Sequence, residues 1–233
     1  MSKGTTVRCQ CPHTAHPPRL VVLTGGPGAG KTAVLEIVRR NFCEHIAVLP
    51  EAASIIFGGG FWRKDTGPAR RAAQRAIYHV QREMERLVME ERQSAVALCD
   101  RGTLDGLAYW PDSEDQFWRE VGTNRETELA RYSAVIQLRT PTAGGGYNHE
   151  NPIRIESHIQ ASELDEKILQ AWEGHTHRLI VETTADFLAK AKHAVDLIRD
   201  EVPDCCKKHM VGDFKEQPPL GDRHVELESI PDS

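Results

Sequence analysis

Residues 25 to 32 read Gly-Gly-Pro-Gly-Ala-Gly-Lys-Thr, which fits the phosphate-binding pattern G-x-x-x-x-G-K-[ST]. The pattern constrains the fold because its glycines let consecutive backbone N–H groups point at one anion. The lysine reaches the outer phosphates as a positive charge, and the final hydroxyl is placed to ligate Mg²⁺. We therefore predict a nucleoside triphosphate site, with Thr32 as a metal ligand, formed by Gly25, Gly26, Pro27, Gly28, Ala29, Gly30, Lys31 and Thr32.

The residues on either side of this motif supply the structural context that it requires. Arg19 to Thr24 is an apolar, β-branched run of strand length. After the motif, Val34, Ile37 and Val38 recur at helical spacing. A Gly-rich turn that binds nothing is the competing interpretation, but a strand, a Gly-rich turn and a helix in this order favour phosphate binding.

Composition and charge exclude several classes of protein. The 233 residues are enough for one large domain, or for one domain with tails, and a content of 39% hydrophobic and 27% charged residues is ordinary for a soluble protein. The net charge of −5 argues against general nucleic-acid binding. No apolar run approaches the length of a membrane span, and the polar first 18 residues lack the apolar segment of a signal peptide. We therefore expect a cytoplasmic protein.

The chain divides into three parts by composition. Residues 1–18 are predicted to form a flexible N-terminal extension, and residues 19–201 a single core domain. Residues 202–233 are rich in Pro, Gly, Asp and Lys without periodicity, so we predict a mostly disordered tail.

Cysteines and histidines cluster near both ends of the chain. Cys9, Cys11, His13 and His16 form one group. Cys205, Cys206 and His209 form the other. Either group could bind a metal, but C-x-C and C-C are not the usual zinc spacings, so incidental tail cysteines are the favoured interpretation.

Within the core, short apolar segments alternate with amphipathic ones. Helical spacing predicts long helices from about Pro68 to Arg92, from about His158 to Glu173 and from about Ala185 onward. Short apolar strands separated by helices indicate a parallel sheet covered on both faces, a three-layer α/β/α fold. The predicted strands are residues 19–24, 45–49, 95–99, 134–138 and 178–181.

Ligands of such sheets bind beyond the carboxyl ends of the strands, which selects the next candidates. The second strand leads into Glu51, and the third leads into Asp100 and Arg101. A carboxylate there can hold Mg²⁺ or accept a proton, and an arginine can stabilise a transferring phosphoryl group. The alternatives are that Glu51 caps a helix and that Asp100 pairs structurally with Arg101.

A long glycine-bearing loop, Pro141 to Glu156, follows the fourth strand. Long loops in such folds often act as lids, and Arg139 and Arg154 could then close on the phosphates. A plain surface loop with solvated arginines is the alternative.

The long helix after the second strand carries a polar stripe of Gln74, Arg75, Tyr78 and Gln81. The stripe could face an acceptor substrate or solvent equally well. Asp105, shortly after the third strand, is a weaker candidate for an acceptor contact.

Several stretches resemble the small kinase-like P-loop ATPases grouped as AAA domains of the NadR type. The resemblance spans about residues 19 to 200. Asp-Arg-Gly and Asn-Pro-Ile-Arg are more specific to this group than the phosphate loop. The matching stretches are residues 23–32, 50–53, 74–77, 99–109, Asn151 to Arg154 with Glu156, and Leu164 to His175.

The resemblance implies a P-loop NTPase fold of the nucleoside- or nucleotide-kinase type. Asp100 and Arg101 match the acid–arginine pair of such kinases, and Glu51 resembles the acid that these kinases place after strand two. Some members of the group are linked to nicotinamide riboside, others to GTP and phosphoinositides. This chain has no recognisable nicotinamide-riboside signature, so the acceptor does not carry over.

Together these features predict a Mg²⁺-dependent phosphotransferase that uses ATP or GTP. Lys31 and Arg101, with Arg154, would neutralise developing charge. Thr32 and Asp100 would hold the metal, and Glu51 would be the base. A slow NTPase or nucleotide-dependent switch that binds a protein or phosphoinositide is the alternative.

Overall fold

The computed structural model describes residues 16–141, 152–184 and 186–207. The strands are β1 Arg19–Thr24, β2 Ile46–Leu49, β3 Val96–Asp100, β4 Ala134–Leu138 and β5 Arg178–Val181. The helices are α1 Lys31–Asn41, α2 Ala52–Gly58, α3 Gly67–Glu91, α4 Glu114–Val121, α5 Arg125–Ala130, α6 Pro152–Ala171, α7 Phe187–Asp200 and α8 Asp204–Lys207. A 3₁₀ helix, Thr103–Tyr109, follows β3. None of the described helices combines the length and apolarity that crossing a membrane requires.

The five strands form one parallel sheet in the order β2-β3-β1-β4-β5. β1 lies in the middle, and Val21, Val22 and Leu23 on it are fully buried. Because all strands run the same way, the segments after β1, β2 and β3 meet at one edge of the sheet. The predicted three-layer α/β/α fold with a five-stranded parallel sheet is confirmed.

Each face of the sheet is covered by a separate layer of helices. α1, α7 and α8 pack on one face, where Leu35, Val195 and Cys206 share a core with β1 and β4. The 3₁₀ helix, α3, α4 and α6 cover the other face, where Phe117 and Trp172 are fully buried. Apolar burial on both faces explains why the strands are continuous apolar runs rather than alternating ones.

Two predicted boundaries differ from the structure. α6 begins at Pro152, so the last five residues of the predicted loop 141–156 are helical. Proline suits the first position of a helix because its missing N–H would have no partner there. Val202 and Cys206 are buried, so the fold continues beyond the predicted domain end at residue 201. Residues 1–15, 142–151 and 208–233 lie outside the described part, and the predictions for them stay predictions.

A buried carboxylate joins the 3₁₀ helix, α3 and α5 beneath the sheet. Glu128 is 1% exposed and accepts hydrogen bonds from Tyr78, at 2.9 Å, and Thr103, at 2.8 Å. Arg131 donates to it at 2.7 Å and also pairs with the fully buried Glu85. Such networks are stable only when each buried polar group finds a partner.

We expect Glu128→Ala to lower the free energy of unfolding by about 3 kcal/mol or more, because Arg131 and the hydroxyl groups of Tyr78, Thr103 and Thr123 would lose their buried acceptor. Urea denaturation measures this loss. Glu126→Ala is the matched control, since Glu126 is an exposed acid on the same helix. Equal destabilisation by the two variants would contradict the structural role of Glu128.

Candidate nucleotide-binding and active site

The loop between β1 and α1 is shaped by close backbone approaches that only glycine permits. A Cβ on Gly25, whose φ is +139°, would lie 2.1 Å from the carbonyl oxygen of Leu138. A Cβ on Gly26 would lie 2.5 Å from Oγ1 of Thr140. Gly28 and Gly30 have φ values of +75° and +100°, in the left-handed region. The loop therefore packs closely against the end of β4 and the residues that follow it.

A carboxylate that sequence reasoning did not select holds this loop from α6. Oδ1 of Asp165 accepts a hydrogen bond from the backbone N–H of Gly26 at 2.8 Å and one from Thr140 at 3.2 Å. Its Oδ2 lies 3.2 Å from Nε of Arg139. Asp165 is 2% exposed, and these contacts compensate for its burial.

A buried lysine holds the same loop from α7, and it too was missed. Nζ of Lys190 donates to the carbonyl oxygen of Ala29 at 3.0 Å and to that of Arg139. Burial lowers the pKa of Lys190, while the charge of Asp165 opposes that shift. Asp165 stood in a motif of the resemblance, but no local spacing marks either side chain as a support of the loop.

Lys31 lies folded back over the phosphate loop. Its Nζ donates to the carbonyl oxygens of Gly25, at 2.8 Å, and Gly26, at 3.2 Å. Burial and the nearby charge of Arg101 lower the pKa of Lys31 to about 8. The ammonium group of Lys31 is thus held at the loop, next to the place where the backbone N–H groups of the loop would bind phosphates.

Arg101 and Glu51 are joined at the carboxyl edge of the sheet, as the strand order requires. Nε of Arg101 donates to Oε1 of Glu51 at 2.7 Å, and its guanidinium group lies 3.3 Å from the carbonyl oxygen of Gly25. Arg101 has a φ of 71°, an unusual conformation for a residue with a side chain. Strained backbone of this kind is frequent at functional sites.

Of the alternative roles that the sequence left open, the cap position of Glu51 is observed without a capping hydrogen bond, and the pairing of Asp100 with Arg101 is not observed among the described residues. Glu51 is the N-cap residue of α2, but its side chain makes no capping hydrogen bond. It accepts from Arg101 and from Ser54, at 2.6 Å. Burial opposes ionisation of Glu51, yet Ser54 and Arg101 outweigh it and lower the pKa. Among the described residues, Arg101 pairs with Glu51 and Asp105, not with Asp100.

Asp100 fits a metal ligand. Its Oδ1 is buried and has no hydrogen-bond partner among the described residues. Burial raises the pKa of this carboxyl group, partly offset by the charge of Lys31. Thr32 is exposed on the first turn of α1, and an oxygen pair of this type suits Mg²⁺.

A cavity of about 560 Å³ adjoins this edge. Glu51 and Arg101 line it, together with Gln74, Tyr78 and Gln81 of α3. The polar stripe of α3 therefore faces a cavity rather than solvent. Its fourth member, Arg75, pairs instead with Glu120 of α4.

The structure places the three remaining candidate site residues, Asp105, Arg139 and Arg154, in different surroundings. Asp105 is 3% exposed, and it accepts from the backbone N–H of Gly102 at 2.7 Å and from Thr24, so it braces β1 against the 3₁₀ helix. Arg139 pairs with α6 rather than pointing at the loop. Arg154 is in the first turn of α6, and its side chain is outside the described part.

The strand order and the phosphate loop together define a P-loop NTPase fold. Residues 20–190 match the family model described as an AAA domain, and the chain belongs to that family.

Comparison with solved structures supports the same fold. The chain is similar to the NadR protein, whose structure was determined in complex with NR, with a TM-score of 0.56 and 15% sequence identity. The match covers 86% of this chain and 55% of the NadR chain, so this chain spans about half the length of that relative. No curated protein sequence matches the chain significantly.

We expect Asp165→Ala to weaken ATP binding about tenfold, because the N–H of Gly26 and the hydroxyl of Thr140 would lose their buried acceptor. Isothermal titration calorimetry measures the affinity. Glu166→Ala is the matched control, since Glu166 is exposed and also pairs with Arg139 but does not contact the loop. Unchanged ATP affinity in a folded Asp165→Ala protein would show that this contact does not shape the site.

We expect ATP binding to take up protons in mildly alkaline buffer. The free protein has a Lys31 pKa of about 8, and bound phosphates would raise it by favouring the ammonium form. About half a proton should be taken up at pH 8, and almost none at pH 6. Calorimetry in buffers of different ionisation enthalpy measures this number. Lys31→Arg should abolish the uptake, because arginine stays charged; uptake that persists in that variant would assign it to another group.

Proposed function

We propose that this chain is a Mg²⁺-dependent phosphotransferase that moves the γ-phosphoryl group of ATP or GTP to a hydroxyl or phosphate acceptor. The observation that carries the proposal is the cavity, because Glu51 and Arg101 line it and Arg101 also contacts Gly25 of the phosphate loop. A protein that only hydrolysed nucleotide would need a water at this point rather than a cavity of about 560 Å³.

The nucleotide's phosphates would bind N–H groups of the phosphate loop other than that of Gly26, which donates to Asp165, with Lys31 on the outer phosphates. The ring of Phe187 lies directly over Gly30, where an added Cβ would approach it to 2.7 Å. This ring is 47% exposed, so it offers an apolar surface for the base or ribose beside the loop.

Thr32 and Asp100 would hold Mg²⁺, which when bound supplies positive charge to the phosphates. Oδ1 of Asp100, which has no hydrogen-bond partner within the described ranges, supports this assignment, because a buried carboxylate oxygen needs a compensating cation or donor.

Glu51 would accept the proton of the acceptor hydroxyl as the new oxygen–phosphorus bond forms and the β–γ bond breaks. Its lowered pKa means that it is ionised at neutral pH and can accept the proton. Arg101, held at both Glu51 and the carbonyl of Gly25, would stabilise the charge of the transferring group. A phosphate acceptor would need Arg101 alone, since it carries no proton to remove.

Arg154 remains a proposed second cation for the transferring group. Its helix, α6, also contributes Gln160, Glu163 and Lys167 to the cavity, so α6 borders the proposed acceptor site.

The proposal is tested by incubating the protein with Mg-ATP, and separately Mg-GTP, against pools of nucleosides, nucleotides and common metabolites. Mass spectrometry identifies any acceptor that gains a phosphoryl group, with Lys31→Ala as the control. A product that depends on Lys31 supports the proposal and names the acceptor. Bound nucleotide with slow hydrolysis and no phosphorylated acceptor would overturn it in favour of an NTPase or switch.

We expect Asp100→Asn to lower turnover roughly 100-fold while raising the melting temperature of the nucleotide-free protein. Burial raises the pKa of Asp100 above its unfolded value, so its charge at neutral pH opposes folding and removing the charge stabilises the fold. Steady-state kinetics and thermal unfolding without Mg²⁺ measure the two effects. Full turnover in the variant would exclude Asp100 as a metal ligand.

A further inference from the structure

Three metal-binding side chains that are distant in sequence meet at the edge of the sheet opposite the phosphate loop. His16 precedes β1, His45 directly precedes β2, and Cys206 is on α8. One ligand atom of each lies within 4.8 Å of those of the other two. β1 has six residues, so this cluster is separated from the nucleotide site by roughly 20 Å of strand.

Cys205 places a second sulfur beside two members of this group. Its Sγ lies 3.6 Å from Nε2 of His16 and 3.9 Å from Sγ of Cys206. Nδ1 of His45 lies 3.1 Å from Sγ of Cys206. Zinc–sulfur bonds of about 2.3 Å and zinc–nitrogen bonds of about 2.0 Å place tetrahedral ligands about 3.3 to 3.8 Å apart, which is close to these separations.

We propose that His16, His45, Cys205 and Cys206 form a structural zinc site. Two imidazoles and two thiolates are a frequent donor set of closed tetrahedral zinc sites, whereas Mg²⁺ and Ca²⁺ require oxygen donors. Cys206 is fully buried, while both histidines are partly exposed, so the ion has a path from solvent. A thiol–imidazole hydrogen bond alone would explain the contact of His45 with Cys206, but not the convergence of ligand atoms from His16, His45 and Cys206.

A zinc ion at this site would cross-link three parts of the fold that are distant in sequence. His16 belongs to the segment entering the central strand, His45 to the turn before edge strand β2, and the cysteines to the last described helix. The carbonyl oxygen of His45 accepts from the backbone of Ala95, at 2.8 Å, and of Val96, so its position is fixed by β3. α8 has only four residues and would gain an anchor that its own length cannot provide.

The test uses the full chain, expressed with zinc and purified without chelators. Elemental analysis should find about one zinc ion per chain. Cys206→Ser and His45→Gln should each lower retained zinc at least about tenfold. Cys99→Ala, which removes a buried thiol of β3 on the other face, and His193→Gln, which removes an exposed imidazole of α7, should retain wild-type zinc. Variants with unchanged zinc content at Cys206 and His45 would overturn the proposal.

Two measurements on the unmodified protein keep the proposal testable if a variant does not fold. Zinc X-ray absorption should show both sulfur at about 2.3 Å and nitrogen at about 2.0 Å. Removing the ion with a chelator should lower the melting temperature by roughly 5 to 15 °C, and added zinc should restore it. Negligible zinc with no thermal response, or an ion bound only by oxygen and nitrogen, would contradict it. None of these measurements depends on the proposed phosphotransferase activity.

Discussion

The hydrogen bond from the backbone N–H of Gly26 to the carboxylate of Asp165 is the contact on which the nucleotide site depends. A loop of glycines has no side chains of its own to fix its path, so its shape must come from neighbours. Asp165 on α6 and Lys190 on α7 hold the loop from two sides, one through an N–H and the other through a carbonyl. Both charges are buried, and each is compensated by the loop that it supports. The position of Lys31, which bonds to the same loop, follows from this arrangement.

At the carboxyl edge of the sheet, acidic and basic side chains lie close together, but only some of them form ion pairs. Arg101 and Glu51 satisfy each other, while a buried oxygen of Asp100 has no partner among the described residues and Lys31 is close to losing its proton. In the nucleotide-free protein, burial of Asp100 and Lys31 without full compensation of their charges costs free energy. A bound metal ion would supply a positive partner for Asp100, and a bound triphosphate would supply a negative partner for Lys31. Local instability of this kind is expected where a site is built for a ligand rather than for the stability of the fold.

Particular elements show where sequence reasoning succeeded and where it stopped. All five strands were predicted within a residue of their bounds, because strands buried on both faces are continuous apolar runs. Glu51, Asp100 and Arg101 were brought together correctly by the rule that parallel strands end at one edge. The start of α6 was missed because the glycine-rich sequence before it and the proline at its first position are typical of a loop. The stripe of Gln74, Tyr78 and Gln81 was ambiguous, since periodicity gives a face of a helix but not what the face meets.

The sequence by itself determined the phosphate loop, the parallel sheet and the acids and arginine at its carboxyl edge, because these are set by local spacing and strand direction. Only the tertiary structure decided that Asp165 and Lys190 hold the loop, and that His16, His45 and Cys206 meet at the opposite edge. Asp165 lies 139 residues from Gly26, and Cys206 lies 161 residues from His45. Contacts over such separations leave no periodic signal in a single sequence, because they arise from the packing of helices on the sheet rather than from local backbone geometry.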